Sequence, residues 1–416
     1  MSGVRIPTEA ELRFLTTRAV AEIVPHDEFV AGLRSGRPLR LKMGFDPTRP
    51  VITLGWAVGL RKLRQMQELG HTVVVVIGDW TARIGDPSGK SETRPMLSEE
   101  EVKANSQAIL QQFFKVLDPA RTEIRRQTEW FDAFTLADVV RLAARFTVAQ
   151  MLQRDDFQQR FAARLPIGIH ELLYPLLQGY DSVAIQADVE FGGTDQKFNN
   201  LVGRELQRMM GQRAGPIGQG QAVFLVPLLV GLDGAKKMSQ SLGNYIAIDD
   251  PLHEMYGKIM SIPDSLLADY FTLLTDVPDE EVEAIRRAVA IRSENPMEHK
   301  MRLAREITAQ FHDPAQARAA EEEFVRTFRR REGPQQAPKF AVSFTSAKLA
   351  DVDLVDVLVE SGLVASRSQA RRLVAQGAVE VDGSKVTGPR VSVRPGALVR
   401  AGKHRFLRIV GADPES

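Results

Sequence analysis

The sequence predicts an α/β chain in three parts: a largely parallel sheet wrapped by helices, an all-helical stretch, and a small basic α/β module. Three observations carry this expectation. Thr72-Val73-Val74-Val75-Val76-Ile77 is too apolar and β-branched for anything but a strand buried on both faces. Pro263, Pro278, Pro296 and Pro314 punctuate segments of helical period with no strand-like run between them. Residues 332–338, rich in Gly and Pro and poor in apolar side chains, then read as a linker to the last module.

Composition narrows the class. A chain of 416 residues with 44% hydrophobic and 26% charged residues is an ordinary globular protein with room for several domains. It has no cysteine, which excludes disulfides and thiolate zinc sites. Met1-Ser2-Gly3-Val4-Arg5 lacks the apolar core of a signal peptide, and no stretch has the length of a membrane span, so a cytoplasmic protein with no membrane partner is expected. The net charge of +1 conceals an asymmetry. Residues 366–408 hold 10 Lys+Arg against 2 Asp+Glu, whereas the remainder holds 44 against 51. A basic tail on a mildly acidic body calls for a polyanionic partner.

In chain order, residues 1–38 form a helical segment, amphipathic from residue 8, with a break at Pro25. Residues 39–247 alternate strands and helices. Leu39, Leu41 and Met43 alternate as a strand does and run into Gly44-Phe45-Asp46-Pro47-Thr48-Arg49-Pro50. A helix follows, with Val58, Leu63, Met66 and Leu69 on one face and Gly70 closing it. With strand 72–77 this makes one right-handed βαβ unit. Its helix start, with free N–H groups and dipole facing the loop, suits an anion; a crossover without any ligand has the same pattern. Helical patterns follow at 98–115 and 136–153, and Phe224 to Val230 reads as another buried strand. Loops at the carboxyl ends of such strands should share one cleft. Residues 248–331 form the all-helical domain, 332–345 the linker and 346–416 the final module.

Within this frame, Tyr174, Gln178 and Asp181 are spaced four and three apart and fall on one helical face. Leucines 172, 173, 176 and 177 occupy the rest, so a phenol, an amide and a carboxylate form a buried stripe. Buried polar groups need partners, either from neighbouring side chains or from a small zwitterion or hydroxyl-bearing ligand. Gly192-Gly193-Thr194-Asp195-Gln196 admits close backbone approach, with Asp195 able to cap a helix or face a ribose. Gly231 to Ser241, containing Lys236-Lys237-Met238-Ser239-Gln240, is expected to be a mobile basic loop able to neutralise phosphate. In the tail, Ser366 caps a helix carrying Arg367, Arg371 and Arg372, a pattern that suits phosphates of structured RNA. Residues 377–384 read as a strand and hairpin turn.

Together these residues resemble the bacterial tyrosyl-tRNA synthetase family over nearly the whole chain. The motifs Gly44-Phe45-Asp46-Pro47-Thr48, Gly85-Asp86-Pro87-Ser88-Gly89-Lys90, Tyr174-x-x-x-Gln178-x-x-Asp181, Gly192-Gly193-Thr194-Asp195-Gln196 and Lys237-Met238-Ser239 stand in that family's order. The resemblance implies a class I, Rossmann-like catalytic sheet, an anticodon-side helical domain and an RNA-binding tail. It implies a homodimer that takes L-tyrosine, ATP with Mg²⁺ and tRNA(Tyr), with no tightly bound cofactor and no dedicated metal site. Asp181 would accept from the substrate phenol, with Lys42 near the same end. Such a site rejects phenylalanine by roughly 10⁵, the figure recorded for this enzyme family itself, because loss of the hydroxyl leaves buried polar groups unpaired. Tyr174, Gln178 and Asp86 would hold the ammonium, and Gln196 the carboxylate. Gly44, Asp46, Gly55, Gly192, Asp195, Met238, Ser239, Gln240 and Ser241 fall on the nucleotide side. Thr48, Lys90, Arg94 and Lys237 would face the phosphates, and Thr53 would add a hydrogen bond.

The chain departs from the family pattern twice. The His-x-Gly-His signature reads Thr53-Leu54-Gly55-Trp56, and His71 is the histidine nearest in sequence. The Lys-Met-Ser-Lys-Ser signature has Gln240 in place of its second lysine. Loss of one preorganised donor at a developing charge costs roughly 10²–10³ in rate. The expectation is therefore a tyrosine–tRNA ligase with weakened activation; the other reading is an activation-impaired relative that binds tyrosine and RNA in a regulatory role.

Overall fold

The computed structural model describes residues 3–86, 98–212, 217–329, 337–344, 349–402 and 405–411. The chain divides into two compact units, Met1–Ala317 and Arg318–Ser416.

The first unit is built on a six-stranded sheet: β1 (Glu22–Val24), β2 (Arg40–Phe45), β3 (Thr72–Ile77), β4 (Thr122–Arg126), β5 (Val189–Gly193) and β6 (Ala222–Val226). Their spatial order is β1-β6-β5-β2-β3-β4, parallel throughout except for β1, which runs antiparallel to β6. From β2 the chain winds outward through β3 and β4, then returns to lay β5 and β6 on the other side. The β2–β5 boundary is thus the switch point, where an open α/β sheet leaves a crevice at its strand ends.

Strand 72–77 is buried as its composition requires. The helix after β2 spans Leu54–Glu68, and Gly70 beyond it has φ +99, where a Cβ would stand 3.0 Å from Val4 Cα. Three expectations change. Residues 1–38 are not wholly helical, since β1 lies between helices Glu9–Thr17 and His26–Arg34. The pattern at 136–153 is two helices, Leu136–Ala143 and Val148–Met151, because Thr147 opens the second with a capping box to Gln150. Strand β6 stops at Val226, where Pro227 withdraws its N–H from the ladder.

Helices Ile169–Ala184 and Lys197–Met209 pack at close quarters over the sheet. A Cβ on Gly179 would stand 2.9 Å from Leu206 Cδ1, 3.0 Å from Val202 Cγ1 and 3.1 Å from the Gly203 nitrogen. That approach brings the polar stripe of the first helix against Asn199 on the second. Further on, the chain is helical as predicted, through Leu252–Met260, Leu267–Leu274, Asp279–Ala290 and Pro296–Phe311. Pro251 and Pro278 sit at N-caps and Pro296 at the first turn, positions where a missing N–H costs least. No helix among the described residues is long and apolar enough to cross a membrane.

The second unit carries a five-stranded sheet with spatial order β10-β9-β12-β13-β7, from β7 (Lys339–Val342), β9 (Val379–Val381), β10 (Ser384–Val386), β12 (Leu398–Ala401) and β13 (Arg405–Gly411). β8 (Ala350–Asp353) pairs with β11 (Arg390–Val393). The expected linker 332–345 therefore contains a strand: Lys339-Phe340-Ala341-Val342 alternates exposed and half-buried residues as it pairs along β13. The hairpin at 379–386 turns on Asp382 (φ 49) and Gly383 (φ 79), the pair of positive angles a two-residue turn of this hand needs. Ser366 caps helix Arg367–Ala375, accepting from the Gln369 N–H at 3.3 Å, with Ala370 and Val374 turned into the core.

Filling the Gly179 contact tests the helix pairing. Gly179→Val should destabilise the chain by about 1–3 kcal/mol through overpacking, read as a lower melting temperature; an unchanged melting curve would show that the two helices can part without cost.

Candidate functional site

At the carboxyl ends of β2, β3, β5 and β6 lies a cavity of about 480 Å³, within the range of small-molecule sites. Its wall includes Gly44, Asp46, Thr48, Thr53 and Gly55 from the first βα unit, and Asp86 after β3. Tyr174, Gln178 and Asp181 face it from their helix. Gly192, Asp195 and Gln196 follow β5, and Lys237, Met238, Ser239, Gln240 and Ser241 close the far side. Lys90 and Arg94 lie outside the described residues, as do the other motif residues from Pro87 to Gly89.

The stripe on helix Ile169–Ala184 is fully partnered. Tyr174 Oη donates to Asp46 Oδ2 at 2.8 Å, and Thr81 Oγ1 donates to Asp46 Oδ1 at 2.6 Å. Burial first, and then the Asp46 charge, hold the Tyr174 phenol well above its ordinary pKa, so it is a permanent donor. Gln178 Oε1 accepts from Asn199 Nδ2 at 2.8 Å, and its Nε2 donates to Glu190 Oε1 at 3.2 Å. Asn199 also donates to Gln196 Oε1 at 3.2 Å, and Gln196 Nε2 donates to Asp86 Oδ2 at 3.0 Å. Arg154 completes this chain, reaching Asp86 Oδ1 at 3.2 Å and Asn199 Oδ1 at 3.1 Å.

Asp181 closes the inner end. Its oxygens accept from Gln127 Nε2 at 2.8 Å and from Trp130 Nε1 at 3.2 Å. Burial outweighs these donors and the Lys42 charge, and pushes its carboxyl up to about 7. Lys42 is not on the cavity wall. It lies beneath, completely enclosed, with Nζ 3.0 Å from Glu190 Oε1 and donating to Ser182 Oγ and the Gln178 carbonyl, both at 2.8 Å. Its influence on Asp181 is electrostatic.

The basic loop is more firmly held than its glycines suggest. Asp233 Oδ1 accepts from the Ala235 and Lys236 N–H groups, both at 2.9 Å, and Oδ2 accepts from Asn244 Nδ2 at 2.6 Å. Asn244 Oδ1 in turn accepts from the Ser239 N–H at 2.9 Å. Lys237 Nζ lies 2.6 Å from Asp195 Oδ2, so these two predicted nucleotide-side groups are paired with each other. Ser239 and Ser241 hydroxyls lie 3.0 Å apart. Gln240 Nε2 donates to the Val51 carbonyl.

At the start of helix Leu54–Glu68, Thr53 is the N-cap yet its hydroxyl makes no capping bond. The Trp56 ring packs edge-on against Phe45, centroids 4.7 Å apart, and Phe45 against Phe113 at 5.4 Å. A Cβ on Gly55 would stand 3.3 Å from Thr53 Oγ1 and 3.7 Å from Met238 Cβ. Gly192 is packed by protein, since a Cβ would meet Asn200 Nδ2 at 2.8 Å; Gly44 faces open space. His71 precedes β3, at the opposite end of the strands from the cleft. Its Nδ1 accepts from the Leu39 N–H at 3.2 Å, and burial lowers its pKa to about 4. It cannot serve the cleft.

Sequence reasoning missed Thr81, Gln127, Trp130, Arg154 and Glu190. Nothing in their spacing marks them, because each reaches the site from a different element than the residues it contacts. In the second unit, Arg367, Arg371 and Arg372 are exposed as predicted, with Arg367 paired to Asp356.

Residues 34–329 match the family model of class I tRNA synthetases (W and Y), and residues 354–399 match the S4 domain. A tyrosine–tRNA ligase of Dehalococcoides mccartyi strain CBDB1 is 50% identical over 97% of this chain and 99% of its own length. One from Moorella thermoacetica is 51% identical over 96% of this chain and 95% of its own. The tyrosyl-tRNA synthetase of Archaeoglobus fulgidus, solved with L-tyrosine, has a TM-score of 0.60 at 23% identity, over 75% of this chain and 99% of its own, and so shares the fold.

Asp181 gives the site a pH signature. Its folded pKa of about 7 lies above the ordinary 3.8, so the folded state holds this proton more tightly than the unfolded state does. Ionising it costs stability progressively as pH rises between those values and adds nothing further above. The stability of Asp181→Asn relative to the natural chain should therefore rise from about pH 4 to about pH 7 and then level off; denaturation curves that stay parallel across that window would refute the assignment.

Proposed function

We propose, for a chain that belongs to the class I tyrosyl-tRNA synthetases and is a tyrosine–tRNA ligase, how the cleft divides the work of that reaction. In the first step the tyrosine carboxylate attacks the α-phosphorus of ATP and pyrophosphate leaves. In the second the tyrosyl group passes to the terminal adenosine of tRNA. The observation that supports this reading best is that the Tyr174-Gln178-Asp181 face opens on the same cavity as the strand-end loops.

Asp181 accepts from the substrate phenol, and Lys42 favours its charged form from below. Tyr174, Gln178 and Asp86 receive the ammonium, and Gln196 steers the carboxylate. Asp46 is reassigned from the nucleotide to Tyr174, whose hydroxyl it already holds. Gly44 and Gly55 give the nucleotide room, and Asp195 turns to the ribose once Lys237 leaves it for phosphate. Thr48, Lys90 and Arg94 join Lys237 there, with Thr53, Met238, Ser239, Gln240 and Ser241 bordering the same space. Mg²⁺ arrives on the ATP phosphates. In the tail, Arg367, Arg371 and Arg372 take tRNA phosphates.

Activation is slow in this reading. Thr53 and Trp56 stand where the family carries imidazoles, and Gln240 where it carries a lysine. Each loss weakens stabilisation of the charge developing on phosphate, by roughly 10²–10³ alone and by less than the product together. The chain also forms a homodimer. Support for this comes from one stretch that exposes Leu136, Val140, Val148, Phe161 and Ile169, each more than half accessible.

Tyrosine-dependent ATP–pyrophosphate exchange tests the reaction. The rate should be low yet above a no-enzyme blank, and the double substitution Thr53→His with Trp56→His should raise it; a rate equal to the blank would end the ligase reading for this cleft. For the dimer, Phe161→Asp should give monomers in sedimentation velocity, whereas an unshifted dimer would place the interface elsewhere.

A further inference from the structure

We propose that Arg49 is a further cation that contacts the polyphosphate in this cleft, besides those named above, and that Gln240 holds it in position, an inference that rests on ATP binding there as set out above. The charge of the wall motivates it. Among the described residues lining the cavity the cations are Arg49 and Lys237, against the carboxylates Asp46, Asp86, Asp181 and Asp195. Lys237 is held by Asp195 at 2.6 Å. Lys42 lies beneath the floor on Glu190, and Arg154 pairs with Asp86 and with Asp156, the latter at 2.8 Å. Arg49 alone of these cations is exposed and makes no ion pair or hydrogen bond with any described residue.

Its backbone, by contrast, is anchored on both sides. The Thr48 N–H donates to the Asp46 carbonyl at 2.8 Å, and Asn105 Nδ2 donates to the Pro47 carbonyl at 3.0 Å. Buried Gln112 grips the other flank, donating from Nε2 to the Pro50 carbonyl at 2.9 Å and accepting from the Ile52 N–H at 2.7 Å. Gln240 adds the last tie, to the Val51 carbonyl, and so joins the basic loop to the loop that carries Arg49. A fixed backbone beside an uncommitted guanidinium is a preorganised anion contact: the loop's ordering entropy is spent before the ligand arrives. The guanidinium fork matches two phosphate oxygens at once, which an ammonium cannot do. The same loop runs into the start of helix Leu54–Glu68, whose dipole favours the same anion, although the Leu54 N–H is already bonded to the Ile246 carbonyl at 2.9 Å and the Trp56 N–H to the Thr53 carbonyl at 3.0 Å. Gln240 is a positioning residue: it carries no charge, and it steadies the loop bearing one.

The test is calorimetric titration of the full-length chain with three probes: Mg-ATP, adenosine and tyrosine. Arg49→Ala should weaken Mg-ATP binding by about tenfold or more, as loss of a charge-assisted hydrogen bond does, and leave adenosine and tyrosine within about twofold. Arg49→Lys should fall between, keeping the charge without the fork. Gln240→Ala should weaken Mg-ATP several-fold, and adding it to Arg49→Ala should cost nothing further, because it acts through Arg49. Unchanged Mg-ATP affinity in Arg49→Ala, or an equal loss for adenosine, would overturn the inference while leaving the cleft a nucleotide site. A natural chain that binds neither Mg-ATP nor adenosine would instead remove the nucleotide reading on which it rests.

Discussion

The first unit depends on one buried ion pair. Lys42 on β2 and Glu190 on β5 are register partners across the switch point, and their charged atoms lie 3.0 Å apart in full enclosure. Each also holds the helix above: Lys42 through the Gln178 carbonyl and Ser182 hydroxyl, Glu190 through Ser182 Oγ and Gln178 Nε2. Burying such a pair gains little net stability, since desolvation consumes most of the Coulomb attraction. Its value is geometric. It fixes two strands and one helix at the place where the sheet opens, and leaves Tyr174, Gln178 and Asp181 facing the cavity. Losing either partner would strand a charge in the core, at roughly 3–5 kcal/mol.

From that anchor the cleft divides by charge. The inner end is deep: Asp181 sits there with its carboxyl raised to about 7, while Tyr174, earlier on the same helix, keeps its proton and donates it to Asp46. The outer end is rich in oxygen and hydroxyl groups, with Lys237 already paired to Asp195. A phenolic ring suits the first, and a phosphate chain must compete for cations at the second. Thr53, Trp56 and Gln240 line this same cavity.

Much of this was legible in the sequence where a pattern is local. The four-and-three spacing of Tyr174, Gln178 and Asp181 implies a shared helical face, and prolines mark helix starts from residue 251 onward. Asp382-Gly383 declares its own hairpin. What stayed hidden depends on pairing across the sheet. β4, Thr122-Glu123-Ile124-Arg125-Arg126, is too polar to read as a strand, and yet it delivers Gln127 and Trp130 to Asp181. β1 hides between two helices, and its strand partner is β6, far away in sequence. Asp46 could be placed in the cleft from its motif, but its bond to Tyr174 spans two elements far apart in sequence.

The central claim is that the inner end recognises a phenolic hydroxyl through Asp181, on a helix face locked by the Lys42–Glu190 pair. Its most direct test is side-by-side calorimetry of L-tyrosine and L-phenylalanine on the natural chain without nucleotide. Tyrosine should bind saturably at one site per chain, and phenylalanine should release no measurable heat at the same concentrations. Equal affinities, or no binding of tyrosine, would contradict the account.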